Sequence, residues 1–255
     1  MQETFYKCSA PVRIALLTDL HERPFQPVQD SLLRHHPDII CIAGDVIHGS
    51  VPADECLVAG RITSVLAACA ALAPTFVSIG NHEWMFGRED LAAMAETGAT
   101  VLENRWTEWN GIRIGGLSSA TFTSYQQFRQ GKTGRYPKRT HLPFIQAETD
   151  PNPVPDTAWL DAFCNAPGYK ILLCHHPEYY PKYLASKGID LVLSGHAHGG
   201  QIRLFHQGLY APGQGWFPKL TSGVHDGHLV ISRGLSNTGG IIPRLFNPRE
   251  IVYII

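Results

Sequence analysis

The chain has 255 residues, 44% of them hydrophobic and 17% charged, which supports a sizeable core and excludes disorder of the whole chain. Its 21 basic and 22 acidic residues leave a net charge of -1, so no global basic field marks it as a nonspecific nucleic-acid binder. No apolar run reaches the roughly 18 residues of a membrane helix, and the N-terminus lacks the order of a signal peptide.

Val12–Thr18 is a continuous apolar run, as in a strand buried on both faces. A short helix over Gln29–His35 follows, then a second buried strand, Asp38–Ala43. Asp54–Leu72 reads as a long helix, with Asp54 as N-cap and Pro74 beyond its end. Thr75–Ile79 is a third strand, and Arg88–Thr97 a helix closed by Gly98. Asn110-Gly111 between Arg105–Trp109 and Ile112–Leu117 is a hairpin signal.

From Ser118 to Pro155 no periodicity is visible, and this predicts a loop excursion. It carries the basic residues Arg129, Lys132, Arg135, Lys138 and Arg139, an expected grip on an anionic substrate if it faces the site. The strand-helix pattern then resumes with a helix over Ala158–Asn165, strand Lys170–Cys174, helix Tyr179–Lys187 and strand Asp190–Leu193. Asp226-Gly227 marks a second hairpin within Val224–Ser232, and Ile251–Ile255 is a last strand. The pattern is that of an α/β fold, a single domain over 1–255. Six cysteines are scattered without a CxxC pair, as expected of reduced thiols in a reducing compartment.

The strand ends are polar. They deliver Asp19-Leu20-His21, Gly44-Asp45, Gly80-Asn81-His82-Glu83, His175 and Gly195-His196-Ala197-His198. In open α/β sheets, ligand sites gather at that edge. Each block alone is commonplace; their order along one sheet edge is specific.

These blocks resemble the signature of the calcineurin-like metallophosphoesterase superfamily: DxH, GD, GNH followed by D or E, a single His, then GHxH. Leu172–Pro177 (LLCHHP) and Gly195–Ile202 (GHAHGGQI) are similar to the blocks of a bacterial subgroup, as are Ser232–Leu235 and Arg244–Pro248. The 255 residues do not include a stretch like the subgroup's N-terminal membrane helix. The resemblance implies a four-layer α/β/β/α sandwich of two mixed sheets flanked by helices. It also implies two transition metals, Mn, Fe or Zn. Asp19, His21 and His198 resemble the ligands of one, Asn81, His175 and His196 those of the other, and Asp45 the bridge. A hydroxide shared by the ions would attack phosphorus in line, and His82 would donate to phosphate or to the leaving oxygen.

Some placements follow from local rules. Glu83 is expected to orient the His82 imidazole. His176 should point away from His175, since neighbours on a strand face opposite sides, and so take a structural or rim role. Arg233, in the SRGL match, is a candidate for facing phosphate.

The leading function is hydrolysis of a phosphodiester or pyrophosphate bond in a phosphorylated small-molecule or lipid-linked substrate. No nucleic-acid or protein partner is implied. The expected location is cytoplasmic, with peripheral membrane association left open. The alternative is a regulatory or scaffolding member that binds metal without turnover; degenerate members lose ligands, and here the set is complete. A metallo-β-lactamase-like site would need an HxHxDH run, which is absent.

Overall fold

A computed structural model describes residues 1–21, 23–48, 61–84, 86–131, 154–236 and 242–255. Its apolar runs pair into two six-stranded sheets. The first contains β1 (Gln2–Tyr6), β2 (Ile14–Leu17), β3 (Ile39–Ala43), β4 (Thr75–Ser78), β5 (Thr100–Leu102) and β16 (Glu250–Ile254), ordered β1-β16-β2-β3-β4-β5. All its pairs are parallel except β16 with β2. The second contains β6 (Arg105–Trp109), β7 (Ile112–Leu117), β8 (Tyr169–Cys174), β9 (Leu191–Ser194), β14 (Gly223–His225) and β15 (Leu229–Ile231), ordered β14-β15-β9-β8-β7-β6. Its centre is parallel and its two edge pairs antiparallel.

Strand alternation builds the layers. Ile14 and Leu16 of β2 face the second sheet and meet Ile114, Ile171, Leu173 and Leu193 in one buried cluster. Ala15 and Leu17 face the other way, against α1 (Gln26–His35), α2 (Arg61–Leu72) and α3 (Arg88–Glu96) through Leu32, Leu66 and Met94. On the far side, Leu172 and Val192 pack with Leu160 and Phe163 of a helix at Leu160–Asn165 and with Tyr180 and Leu184 of a π-helical turn, Tyr180–Leu184. Each central strand is covered on both faces, so its sequence shows no polar alternation. The fold is the expected four-layer sandwich of two mixed sheets.

Both predicted hairpin turns form. Asn110 and Gly111 have φ of 46° and 78°, and Asp226 and Gly227 have 53° and 73°. Positive φ at both central residues is the turn whose twist matches that of the strands. Ala120–Gly131, expected as loop, is helix α4. Positions 132–153 lie outside the described residues, and with them the basic segment beyond Gly131. The helix expected from Asp54 is described only from Arg61. The cysteines described are all free, with Cys41, Cys69 and Cys174 buried. Among the described residues no helix is long and apolar enough to cross a membrane.

Candidate metal centre

Strands β2, β3 and β4 of one sheet and β8 and β9 of the other end at the same edge of the sandwich. Short links close this edge. Asp19 N donates to Gly44 O at 3.3 Å, His21 N to Asp45 O at 3.2 Å, and Gly195 N to His175 O at 3.0 Å. The chain turns sharply as each strand ends: φ is 53° at Asp19, 45° at His21, 55° at Asp45, 64° at His196 and 45° at His198. Non-glycine residues in this region carry backbone strain, and such residues cluster at functional sites. The neighbouring glycines make room. A Cβ on Gly80 would lie 2.2 Å from Asp45 Oδ1, and one on Gly195 would lie 2.6 Å from Asp19 Oδ2.

The side chains converge in overlapping groups, Asp19 with His21 and His198, and Asp45 with His175 and His196. Asp45 also groups with His21 and His82, so it stands between the two sets. Its Oδ2 is 3.0 Å from His175 Nε2, 3.7 Å from His82 Nε2 and 3.8 Å from His21 Nε2. Asp19 Oδ1 is 3.4 Å from His198 Nε2.

In four of these residues one polar atom is held by the protein and another is left over. His21 Nδ1 donates to Ile47 O at 2.7 Å, and His175 Nδ1 to Ala43 O at 2.7 Å. Asp19 Oδ2 accepts from His196 N at 3.2 Å, and Asp45 Oδ1 from His82 N at 2.8 Å. The opposite atoms, His21 Nε2, His175 Nε2, Asp19 Oδ1 and Asp45 Oδ2, are buried with no hydrogen bond of normal geometry, as is Asn81 Oδ1. An unsatisfied buried polar atom costs about 1–3 kcal/mol. Those of Asp19, His21, Asp45 and His175 meet in the groups above, where a cation fits, and the mixed nitrogen and oxygen donors suit Mn, Fe or Zn. The residues present therefore fit the binding of metal ions.

For His21 and His196 charge points the same way. Burial, aided by the nearby His82, holds His21 well below its ordinary value. Burial also lowers His196, with His176 contributing. Neutral imidazoles are the ligating form. Burial disfavours protonated His175 as well, but the Asp45 carboxylate outweighs it and raises His175 to about 10.

Three local expectations need correction. Glu83 does not orient His82. Its buried carboxylate accepts from the main-chain N–H of Gly80 at 2.7 Å, Asp45 at 3.0 Å and Ile47 at 3.2 Å. Burial and the charge of Asp45 push it up to about 7. His82 is instead set by His48, whose carbonyl accepts from its Nδ1 at 2.5 Å. His176 does not turn away. β8 stops at Cys174, so strand alternation no longer applies. The His176 ring lies 4.1 Å from that of His196, with Nδ1 on Glu178 Oε1 at 3.1 Å and Nε2 on Ser119 Oγ at 3.0 Å. Arg233 does not face the cluster; it pairs with Glu250 Oε1 and Gln2 Oε1, both at 2.8 Å.

Asn247 also belongs to the site's support and is not among the residues expected there from the sequence. Its amide donates to the carbonyls of His198 at 2.7 Å and Gln201 at 3.0 Å, fixing the loop that carries His198. The LFNP run that contains it was the available signal. A separate cavity of about 430 Å³ is lined largely by apolar residues, including Leu20, Phe25, Val46, Ile62 and Val65.

A model of the calcineurin-like phosphoesterase family matches residues 12–200. The phosphodiesterase YaeI of Escherichia coli (strain K12) is 29% identical over 206 residues, 77% of this chain and 64% of that protein. The uncharacterised protein YpbG of Bacillus subtilis (strain 168) is 25% identical over 239 residues, 91% of this chain and 76% of that one. An uncharacterised metallophosphoesterase of Helicobacter pylori (strain ATCC 700392 / 26695) is 26% identical over 258 residues, 97% of this chain and 60% of that one. The chain thus spans less than two thirds of the length of the E. coli and H. pylori relatives.

Proposed function

The chain belongs to the calcineurin-like phosphoesterase family, and from that premise we propose that it is a dinuclear metal-dependent hydrolase of phosphodiester or pyrophosphate bonds. One observation carries the reading: buried atoms of Asp19, His21, Asp45 and His175 that make no hydrogen bond of normal geometry gather at one edge of the sandwich. Asp19, His21 and His198 would hold one ion, and Asn81, His175 and His196 the other. Asp45 would serve both, since its carboxylate stands between the two sets. Two such ions, when bound, supply a nucleophile at neutral pH and neutralise phosphoryl oxygens.

The protein groups do the rest. His48 holds one nitrogen of His82, so the other, Nε2, is the atom that can give a proton to a leaving oxygen. The glycines beside Asp19 and Asp45 let the carboxylates approach without a Cβ in the way. The phosphodiesterase name of the E. coli relative supports a diester over a monoester.

The test is metal reconstitution with Mn, followed by elemental analysis and assay on bis-p-nitrophenyl phosphate and on p-nitrophenyl phosphate. The expected result is two ions per chain and faster turnover of the diester. Asp45→Asn should lower the content of both ions and abolish turnover. A reconstituted chain with well under one ion, or one that binds two ions and cleaves neither ester, would overturn the proposal.

A further inference from the structure

The loop that carries His198 continues into two short hairpins, β10 (Arg203–Leu204) with β11 (Gln207–Gly208) and β12 (Tyr210–Ala211) with β13 (Gly215–Trp216). The turn at 244–246 joins them. Arg203 N donates to Leu245 O at 3.0 Å, Leu209 N to Ile202 O at 2.9 Å, and Phe217 N to Leu209 O at 2.8 Å. These segments form one hydrogen-bonded unit, and it exposes large apolar side chains. Phe205 is 99% exposed, Phe246 79%, Phe217 67% and Trp216 63%, with Leu204 and Leu245 also exposed.

The backbone makes this exposure unusual. Phe205, Phe217 and Phe246 have φ of 56°, 51° and 54°. Tight turns with positive φ are sites for glycine or asparagine, and a bulky residue there is rare. Three exposed phenylalanines at such positions gain nothing from the core and add no turn preference. Contiguous exposed apolar patches of this kind mark an interaction surface.

Charge indicates the partner. Segments 201–225 and 242–249 contain Arg203, Lys219, Arg244 and Arg249 and no aspartate or glutamate. Lys219 and Arg249 are exposed. Glu178, the carboxylate beneath Gly213 of this unit, is turned inward to His176. Aromatic tips with exposed Lys219 and Arg249, in segments that carry no acid, match the interface of an anionic lipid bilayer, where aromatic rings sit at headgroup depth and Lys and Arg meet the negative surface.

We propose that this unit docks the protein on anionic membranes, with Phe205, Phe217, Phe246 and Trp216 entering the interface. Asn247, next to Phe246, holds the His198 carbonyl, so docking brings the metal centre's edge toward the lipid surface. The proposal goes beyond the catalytic reading, and its test needs no turnover.

The test is co-sedimentation of the full chain with vesicles of phosphatidylcholine alone and of phosphatidylcholine mixed with phosphatidylglycerol. Binding is expected to the mixed vesicles, with a blue shift of tryptophan emission that Trp216→Ser removes. Phe205→Asn with Phe246→Asn should weaken binding by about tenfold or more, since each buried apolar group contributes to partition. Asparagine accepts positive φ, so the double variant should melt no lower than the wild type and turn over bis-p-nitrophenyl phosphate as before. Absence of binding to the mixed vesicles, or binding that the double variant retains, would overturn the proposal. So would a dimer in solution that the same substitutions split, because a second copy would then cover this face.

Discussion

His82 is placed beside the metal-binding groups, its ring 4.4 Å from that of His21 and its Nε2 3.7 Å from Asp45 Oδ2, while its main chain and Nδ1 are committed to Asp45 and His48. Cutting off the ring leaves the main-chain N–H on Asp45 intact, so Asp45 stays where it is. His82→Ala should therefore keep its metal and lose turnover, by about 10²–10⁴-fold for an ester with a poor leaving group. The loss should be smaller on a p-nitrophenyl ester, whose leaving oxygen hardly needs a proton. Elemental analysis beside kcat on the two esters checks this. Loss of metal in the variant would make His82 a ligand and refute its assigned role. At this scale the sequence was most legible: polar residues after buried strands must gather at one edge whatever the loops do. The partners of Glu83 were not legible, because they depend on the path of the loop from Gly44 to Ile47, which no local pattern encodes.

Between elements, Glu83 is the tie that holds the end of β3 to the end of β4. One oxygen accepts from both Asp45 N and Gly80 N, the other from Ile47 N. Glutamine in its place has one acceptor oxygen, and its NH₂ must then face an N–H that cannot receive it. Glu83→Gln should cost about 1–3 kcal/mol, the usual cost of leaving a buried donor unmatched. It should also weaken metal binding, since Asp45 hangs on the same loop. The urea midpoint and the metal content of the purified variant measure the two effects. An unchanged midpoint would show that the three N–H groups have other partners. The same scale shows why some elements were missed. α4 opens Ala-Thr-Phe-Thr-Ser-Tyr-Gln-Gln, so its apolar period is weak. Phe122 enters the core, and Gln126 Nε2 caps Phe86 O at 2.5 Å. Strand β1 reads Gln-Glu-Thr-Phe-Tyr, too polar for a buried strand, and is held by parallel pairing with β16 from the far end of the chain.

For the whole molecule, the four layers follow from runs such as Ile-Ala-Leu-Leu and Ile-Ile-Cys-Ile-Ala, which must be covered on both faces and so require helices outside and a second sheet inside. The weak place in this scheme is the edge formed by β1, where hydrophobic burial is thin and polar contacts take over. Glu3 on β1 accepts from Ser31 Oγ at 2.7 Å, pairs with His35 Nε2 at 2.9 Å and with the Arg34 guanidinium at 2.5 Å, all from α1. Ser31 in turn meets Tyr253 OH of β16 at 2.7 Å. These contacts, the Ser31 hydrogen bond foremost and the His35 bond next, lower Glu3 from 4.5 to about 2, against a smaller opposing effect of burial. The folded state thus binds fewer protons than the unfolded state between these values, and folding gains stability from the charged form. That gain is complete above about pH 4.5 and is lost as pH falls through about 2. Glu3→Gln should therefore unfold at lower urea than the wild type near pH 7, and the gap between the two midpoints should close steadily below about pH 4.5. Urea titrations of both proteins across this range decide it. A gap that is constant with pH would mean that Glu3 acts through shape alone, and that the β1 edge does not rest on its charge.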